Sequence, residues 1–349
     1  MSDRRNGKFA DRPSIYVIIG LFALTALLGG GAYAWFGRDI LAKPAAPLEN
    51  VTVANLFYTG SCAVVAAQAK GYFSDEGIQV ATLVYDSGTA VLDQLFRGTA
   101  DLGTSGDIPL MFAVMNRQQP LSVISTVVMG ENVVGIVARK DKGISTPASL
   151  KGKRIGVTVG TAGHFFLDVY LTEQRLYASD VSIRDIKTED LAGALASGEI
   201  DAAATWEPML GKLQAQLGDN GTTLLANGIY NPTLNLVGTQ TYVASHAQTI
   251  QKVLRGLIRG EDFCRDNPAE ARDLVARDLK VDAQGLAASW QDYRFRVSLD
   301  QSLLLQLEDE SRWAIKNKLT DRTEIPNYMD HFDMDPLLAV APSAITAIH

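Results

Sequence analysis

"DSGTAVLDQLFRGTADLGTSGDIP" (Asp86 to Pro109) sets two glycine-bearing turns, each with small hydroxyl residues, about one helix apart. The first, Ser87-Gly88-Thr89, opens onto Ala90-Val91-Leu92-Asp93-Gln94-Leu95-Phe96, whose apolar spacing predicts a helix. The second, Gly103-Thr104-Ser105-Gly106-Asp107, follows a short apolar step and stops at Pro109. Toward the N-terminus, Val51 to Leu56 alternates like a strand. Tyr58-Thr59-Gly60-Ser61 reads as a turn with Ser61 as a helix cap, and Cys62 to Lys70 as a small-residue helix closed by Gly71. Ile78 to Val84 is a second strand and Asp101-Leu102-Gly103 a short third. This β-α-β-α-β order predicts a parallel sheet with helices on its faces.

Toward the C-terminus the plan recurs. Leu121 to Thr126 and Val133 to Ala138 are β-rich, and the strand Arg154 to Val157 runs into Gly160-Thr161-Ala162-Gly163 and a helix from His164. Ile183 to Ile186 is a strand, Asp190 to Ser197 a helix, and Ala202 to Thr205 leads into Trp206-Glu207-Pro208. After Leu234 to Val243 the pattern predicts helices to the end: Ile250–Asp266, Pro268–Leu279, Ala283–Tyr293 and Ser302–Asn317. "FRGTADL" and "ASGEIDA" both close a helix with glycine and carry an acid before a small-residue strand. Two α/β lobes of this kind, joined by β crossings, place a cleft at the carboxyl ends of both sheets, where open α/β sheets bind ligands.

The length of 349 residues and 47% hydrophobic content suit about two domains. A net charge of -7 without any basic run argues against a nucleic-acid partner. Arg4, Arg5, Lys8 and Arg12 precede a charge-free run from Ile15 to Phe36. Residues 1–37 are therefore expected to form either a signal sequence, cut near Ala32-Tyr33-Ala34, or a transmembrane helix long enough for about 30 Å of hydrocarbon. Both readings export the remainder, through a linker at 38–50 that contains Lys43-Pro44-Ala45-Ala46-Pro47. Cys62 and Cys264 could pair in an exported protein, or stay as two structural thiols. Neither lies near a metal-spaced cluster, and no glycine turn carries a phosphate-loop or dinucleotide spacing, so no metal, cofactor or enzyme activity is expected.

Three helices start directly after small-residue turns, at Ser61, Thr89 and Thr161. A helix start presents free backbone N–H groups and roughly half a positive charge. Any one such turn reads most simply as a capped βα connection. Several converging from two lobes would hold a small anion without a lysine.

The stretch quoted above, with "ISTPASLKGKRIGVTVGTAGHFFLDVYL", "LASGEIDAAATWEPML" and "IPNYMDHFDMDPLLAVAP", resembles the solute-binding proteins of ABC importers for taurine, alkanesulfonates and nitrate. These share a superfamily with thiamin-precursor (NMT1/THI5-like) binders. The resemblance runs from about Val51 to the C-terminus. It implies a type II periplasmic-binding-protein fold with lobe I at 51–135 and 240–349, lobe II at 136–239, and hinge strands near Val133–Arg139 and Asn235–Val243. It implies a periplasmic or membrane-anchored receptor that traps a solute by closure and docks on an ABC permease and its ATPase.

Carried onto this sequence, the resemblance assigns ligand contacts to Ser87, Gly88, Thr89, Ser105 and Asp107 in the first lobe, with Tyr58 and Thr59. In the second lobe it assigns Thr161, Gly163, His164 and Trp206. Glu131, Asn132 and Glu207 are candidates for reading a ligand amine. Taurine-type members resemble P-T-L-D where this chain has Pro232-Thr233-Leu234-Asn235, so Asn235 is a neutral stand-in at that position. The pyrimidine-synthase branch uses a cysteine-rich motif that this chain lacks. A receptor for a pyrimidine-like heterocycle, held by Tyr58 and Trp206, and a membrane-tethered sensor stay open as alternatives.

Overall fold

The computed structural model describes residues 47–116, 120–226 and 228–347. The N-terminal segment expected as a signal or anchor, and most of the linker, lie outside them. Strand β1 (Glu49–Leu56) starts with alternating burial and ends fully buried, as befits a central strand of a parallel sheet. It pairs in parallel with β2 (Ile78–Tyr85) and with β3 (Leu102–Gly106). Across β3 lies antiparallel β10 (Thr233–Thr239), then β4 (Leu121–Gly130), then β11 (Tyr293–Ser298) at the edge. The order is β11-β4-β10-β3-β1-β2.

A second, smaller sheet repeats this plan. Strand β6 (Arg154–Val157) runs parallel to β7 (Ser182–Asp185) and β8 (Ala202–Trp206). Antiparallel β5 (Val134–Arg139) lies beyond β8, and β9 (Gly221–Leu224) beyond that. The chain passes from the larger sheet to the smaller between Gly130 and Val134, and returns between Leu224 and Thr233.

The helices used below are α1 (Cys62–Ala69), α2 (Tyr72–Asp75), α3 (Gly88–Arg97), α4 (Asp107–Asn116), α5 (Ala162–Glu173), α6 (Leu191–Ser197), α7 (Met209–Leu217), α8 (Gln240–Ser245), α9 (Ala247–Asp266), α10 (Pro268–Leu279), α11 (Ala283–Ala287) and α12 (Gln301–Lys316). The two echoing sequence motifs do the same job twice. α3 ends at Gly98 (φ 69°) and α6 at Gly198 (φ 78°), in the left-handed region that glycine enters without a Cβ penalty. Three residues on, Asp101 accepts a hydrogen bond from the Thr52 amide at 2.7 Å, and Asp201 accepts one from the Arg154 amide at 2.9 Å. Each acid thus pins the start of β3 or β8 to the neighbouring central parallel strand of its sheet, β1 at Thr52 and β6 at Arg154.

Four expectations need correction. Thr233–Thr239, expected in lobe II with a hinge crossing from Asn235, pairs with β3 and β4 of the larger sheet; β10 is flanked on both sides there, so the return crossing precedes it. Val134–Arg139 likewise is a paired strand of the smaller sheet rather than a crossing. Helical structure does not run unbroken to the end. Tyr-Arg-Phe-Arg-Val-Ser at 293–298 forms β11, because its alternation buries Tyr293 and Val297 against the edge of β4. Ser61 precedes α1 without capping it; its hydroxyl donates instead to the Leu56 carbonyl at 3.0 Å.

Cys62 and Cys264 form a disulfide that ties α1 to α9. The sulfurs lie in a satellite core with Val65, Ala66, Phe263, Val275 and Trp290, apart from the main core.

Candidate functional site

Three helix N-termini meet at one cavity between the carboxyl ends of the two sheets. Ser87 and Gly88 follow β2, Gly106 ends β3 with Asp107 directly after it, and Thr161 and Ala162 follow β6; all six border the space. Their helices α3, α4 and α5 leave first-turn N–H groups without intrahelical acceptors. Two of the hydroxyls are committed locally. Ser87 Oγ accepts from the Ala90 amide at 3.2 Å, and Thr161 Oγ1 donates to the Thr158 carbonyl at 2.6 Å. Carbon completes the wall through Leu56, Pro109, Val134, Trp206, Pro232 and Leu234. Trp206 and Val134 are register partners where β8 meets β5, so sheet pairing delivers both to the rim. Among the described residues no Lys, Arg or His borders this cavity, whose free volume is about 50 Å³.

Asp107 lines the space but its carboxylate is taken. Oδ1 accepts from the Tyr230 hydroxyl at 2.6 Å and the Ile108 amide at 2.8 Å. Oδ2 accepts from the Thr233 amide at 2.9 Å and from the Gln306 side chain. Burial pushes the Asp107 carboxyl up to about 6, against the lowering effect of these donors. Gln306 also donates to Glu310 on α12 at 3.0 Å; burial holds that carboxyl well above the usual range, and its Oε2 has no partner. Asp107 therefore ties the α4 tip to the start of β10 and to α12.

Of the residues expected to touch ligand, Tyr58, Ser87, Gly88, Asp107, Thr161 and Trp206 border this cavity. The Tyr58 hydroxyl is buried and without a hydrogen-bond partner, and its ring meets Tyr293 edge-on at 5.6 Å. The others sit elsewhere. Thr89 is exposed, and Thr59 is buried with an unpartnered hydroxyl. Ser105 is fully buried, its Oγ donating to the Gly106 carbonyl at 3.3 Å. Gly163 serves packing: a Cβ there would come within 2.6 Å of the Ala204 carbonyl oxygen, so its bareness lets α5 lie on β8. His164 faces α12 instead, edge-on to Trp313 at 5.2 Å, and burial lowers its pKa. Asn235 is spent inside the larger sheet, accepting from Thr126 at 2.8 Å and donating to Thr233 at 2.9 Å. Glu131 pairs with Arg294 at 2.6 Å, and Asn132 sits at the crossing with φ 53°. Gly106, of the Ser105-Gly106-Asp107 turn, also borders the cavity, as do Pro109, Ala162 and Thr233 from outside the expected contacts; Pro109 lies inside the opening stretch and Ala162 directly follows Thr161.

A larger cavity, about 590 Å³, adjoins the first at Trp206. From the smaller sheet's side Glu189, Glu207, Met209, Lys212 and Ala215 border it; from the larger sheet's side Phe57, Asp86 and the segment 279–286 do. Glu207 accepts from the Gly211 amide at 3.1 Å, and burial raises its pKa.

A profile of the NMT1/THI5-like family matches residues 59–271. A protein of Brucella abortus that carries the name of a binding protein, with no ligand specified, is 27% identical over 233 residues, covering 66% of this chain and 71% of its own. The taurine-binding periplasmic protein of Escherichia coli K12 is 31% identical over 166 residues, covering 47% of this chain and 50% of its own. The alkanesulfonate-binding protein SsuA of Xanthomonas axonopodis pv. citri, solved with bound MOPS, superposes with a TM-score of 0.71 at 18% identity, covering 84% of this chain and 99% of that one.

Proposed function

The chain belongs to the NMT1/THI5-like family, and from that premise we propose that it is the extracytoplasmic solute receptor of an ABC importer. In this reading the fold is of the type II periplasmic-binding-protein class. One lobe comprises 48–131 and 231–347, the other 134–225, and the two crossings between the sheets act as the hinge. A ligand that touches both lobes stabilises the closed form, which docks on the permease and its ATPase. The disulfide supports export, since such bonds persist in oxidising compartments. Both cysteines of the chain are consumed in it, which leaves no thiol for cysteine-based catalysis and favours a receptor over an enzyme.

The solute is an oxyanion, preferably a sulfonate. One observation carries this: three helix N-termini drawn from both sheets border one small cavity that has no cationic side chain. Backbone N–H groups and the helix dipoles then supply the positive field. The inner cavity offers nothing to an ammonium group, because the Asp107 carboxylate already accepts from four partners and Asn235 is spent within the sheet. Alkanesulfonates should therefore outrank taurine. A thermal-shift series with methanesulfonate, taurine, nitrate and a hydroxymethylpyrimidine tests this. Ligand at 100 times its Kd adds about 2.7 kcal/mol of stability. A shift with the pyrimidine alone refutes the oxyanion reading.

A further inference from the structure

The inner cavity and its larger neighbour form two compartments that share one side chain, Trp206. Their proportions are unequal in a way that bears on ligand size. About 50 Å³ between the helix tips suits a head group of a few heavy atoms. The second space, about 590 Å³, falls in the range of whole ligand sites. Nitrate or methanesulfonate would leave it vacant.

The character of the larger compartment points to what fills it. Its apolar surface comes from both sides: Phe57, Leu279, Val281 and Leu286 from one, Trp206 and Met209 from the other. Four acids, Asp86, Glu189, Glu207 and Asp282, border it with two lysines, Lys212 and Lys280, so its lining is net acidic and offers no cationic excess to a second anionic group. Glu207, the most buried acid of the set, turns its Oε2 to the Gly211 amide. Aromatic and aliphatic carbon with no excess of cations around it recognises an apolar body by area removed from water.

We infer that the solute is an organic oxyanion with an aryl-sized apolar body: its head lies at the helix tips and its body passes Trp206 into the larger compartment. This rests on the oxyanion reading above and adds the body to it. Closure then buries apolar surface of the ligand against both lobes, so the body contributes to the closed state as well as to affinity.

Isothermal titration of the full chain with methanesulfonate, naphthalene-2-sulfonate and 2-naphthalenemethanol tests the inference. Naphthalene-2-sulfonate should bind at least tenfold tighter than methanesulfonate. Ala215→Trp places a ring in the larger compartment from an exposed helix position, and should cut that ratio below threefold while the unliganded melting temperature holds. A wild-type ratio under tenfold, or a ratio that Ala215→Trp leaves intact, overturns the inference and spares the oxyanion reading. If 2-naphthalenemethanol binds as tightly as its sulfonate counterpart, or if no sulfonate binds, the oxyanion reading itself falls, and this inference with it.

Discussion

Reducing the Cys62–Cys264 bond should destabilise the protein by close to the largest amount one cross-link can give. The bond joins residues 202 apart, so it closes most of the chain into a loop. The chain-entropy relation for a loop of that length gives about 18 cal/mol/K, or about 5 kcal/mol at 25 °C. Both cysteines are fully buried, among Val65, Phe263, Val275 and Trp290, so the native packing survives as two thiols and the loss falls mainly on the unfolded reference state. Urea unfolding of the oxidised protein and of protein refolded with reduced thiols measures the difference directly. With a slope of about 3 kcal/mol/M, the reduced form should unfold at about 1.7 M less urea. A difference under about 0.3 M, equivalent to about 1 kcal/mol, would refute the entropic argument and show that the unfolded chain is already constrained near these residues.

Asp107 carries a pH signature. Its folded-state pKa, pushed up to about 6 by burial, lies above the ordinary carboxylate value, so the folded protein takes up a proton more readily than the unfolded chain. The charged form therefore opposes folding above pH 6, and the penalty of about 3 kcal/mol is relieved as pH falls from 6 toward 4. Melting temperatures of the wild type and Asp107→Asn, compared between pH 7 and 5, should converge or cross as that penalty disappears; parallel curves would remove Asp107 as the source. Gly163→Val drives carbon into the Ala204 carbonyl and should cost about 1–3 kcal/mol while displacing the α5 tip, seen as weaker ligand binding. Gly193→Ala is its control: a Cβ at Gly193 meets nothing within 4 Å, and the change should stabilise α6 by about 0.5–1 kcal/mol in thermal melts. Asp101→Ala and Asp201→Ala each leave a central-strand amide, Thr52 or Arg154, without its acceptor and should each cost about 1–3 kcal/mol in urea titrations; a loss in only one would break the equivalence of the two motifs.

Much of the fold was legible because its signals are local. Gly98 with Asp101, and Gly198 with Asp201, are readable within seven residues, since a helix end and a strand start are short-range events. The starts of α3 and α5 were legible for the same reason, whereas the start expected at Ser61 does not border the cavity and α4, which begins at Asp107 and does, was not read as a helix. Strand β11 was passed over although Tyr293, Phe295 and Val297 alternate with Arg294 and Arg296, because so short a run lies between helical stretches and finds its pairing partner only in the distant edge of β4. The assignment of β10 failed similarly: nothing local tells Thr233–Thr239 which sheet holds its two neighbours.

The site divides along the same line. The helix starts at Gly88 and Ala162 follow from turn chemistry, which the amino-acid order sets by itself. Which side chains stay free to meet a ligand is a matter of distant partners. Asp107 is saturated by Tyr230, Thr233 and Gln306, between 123 and 199 residues away, and Asn235 by Thr126, 109 residues away. His164 is turned to Trp313, and Gly163 is bare for the sake of Ala204. The one-dimensional chain thus determined where α3 and α5 begin and where α3 and α6 end, because those depend on neighbouring residues. Only the tertiary structure decided which polar groups remain uncommitted, which sulfurs meet and how large the space past Trp206 is, because each depends on contacts between segments that the chain keeps far apart.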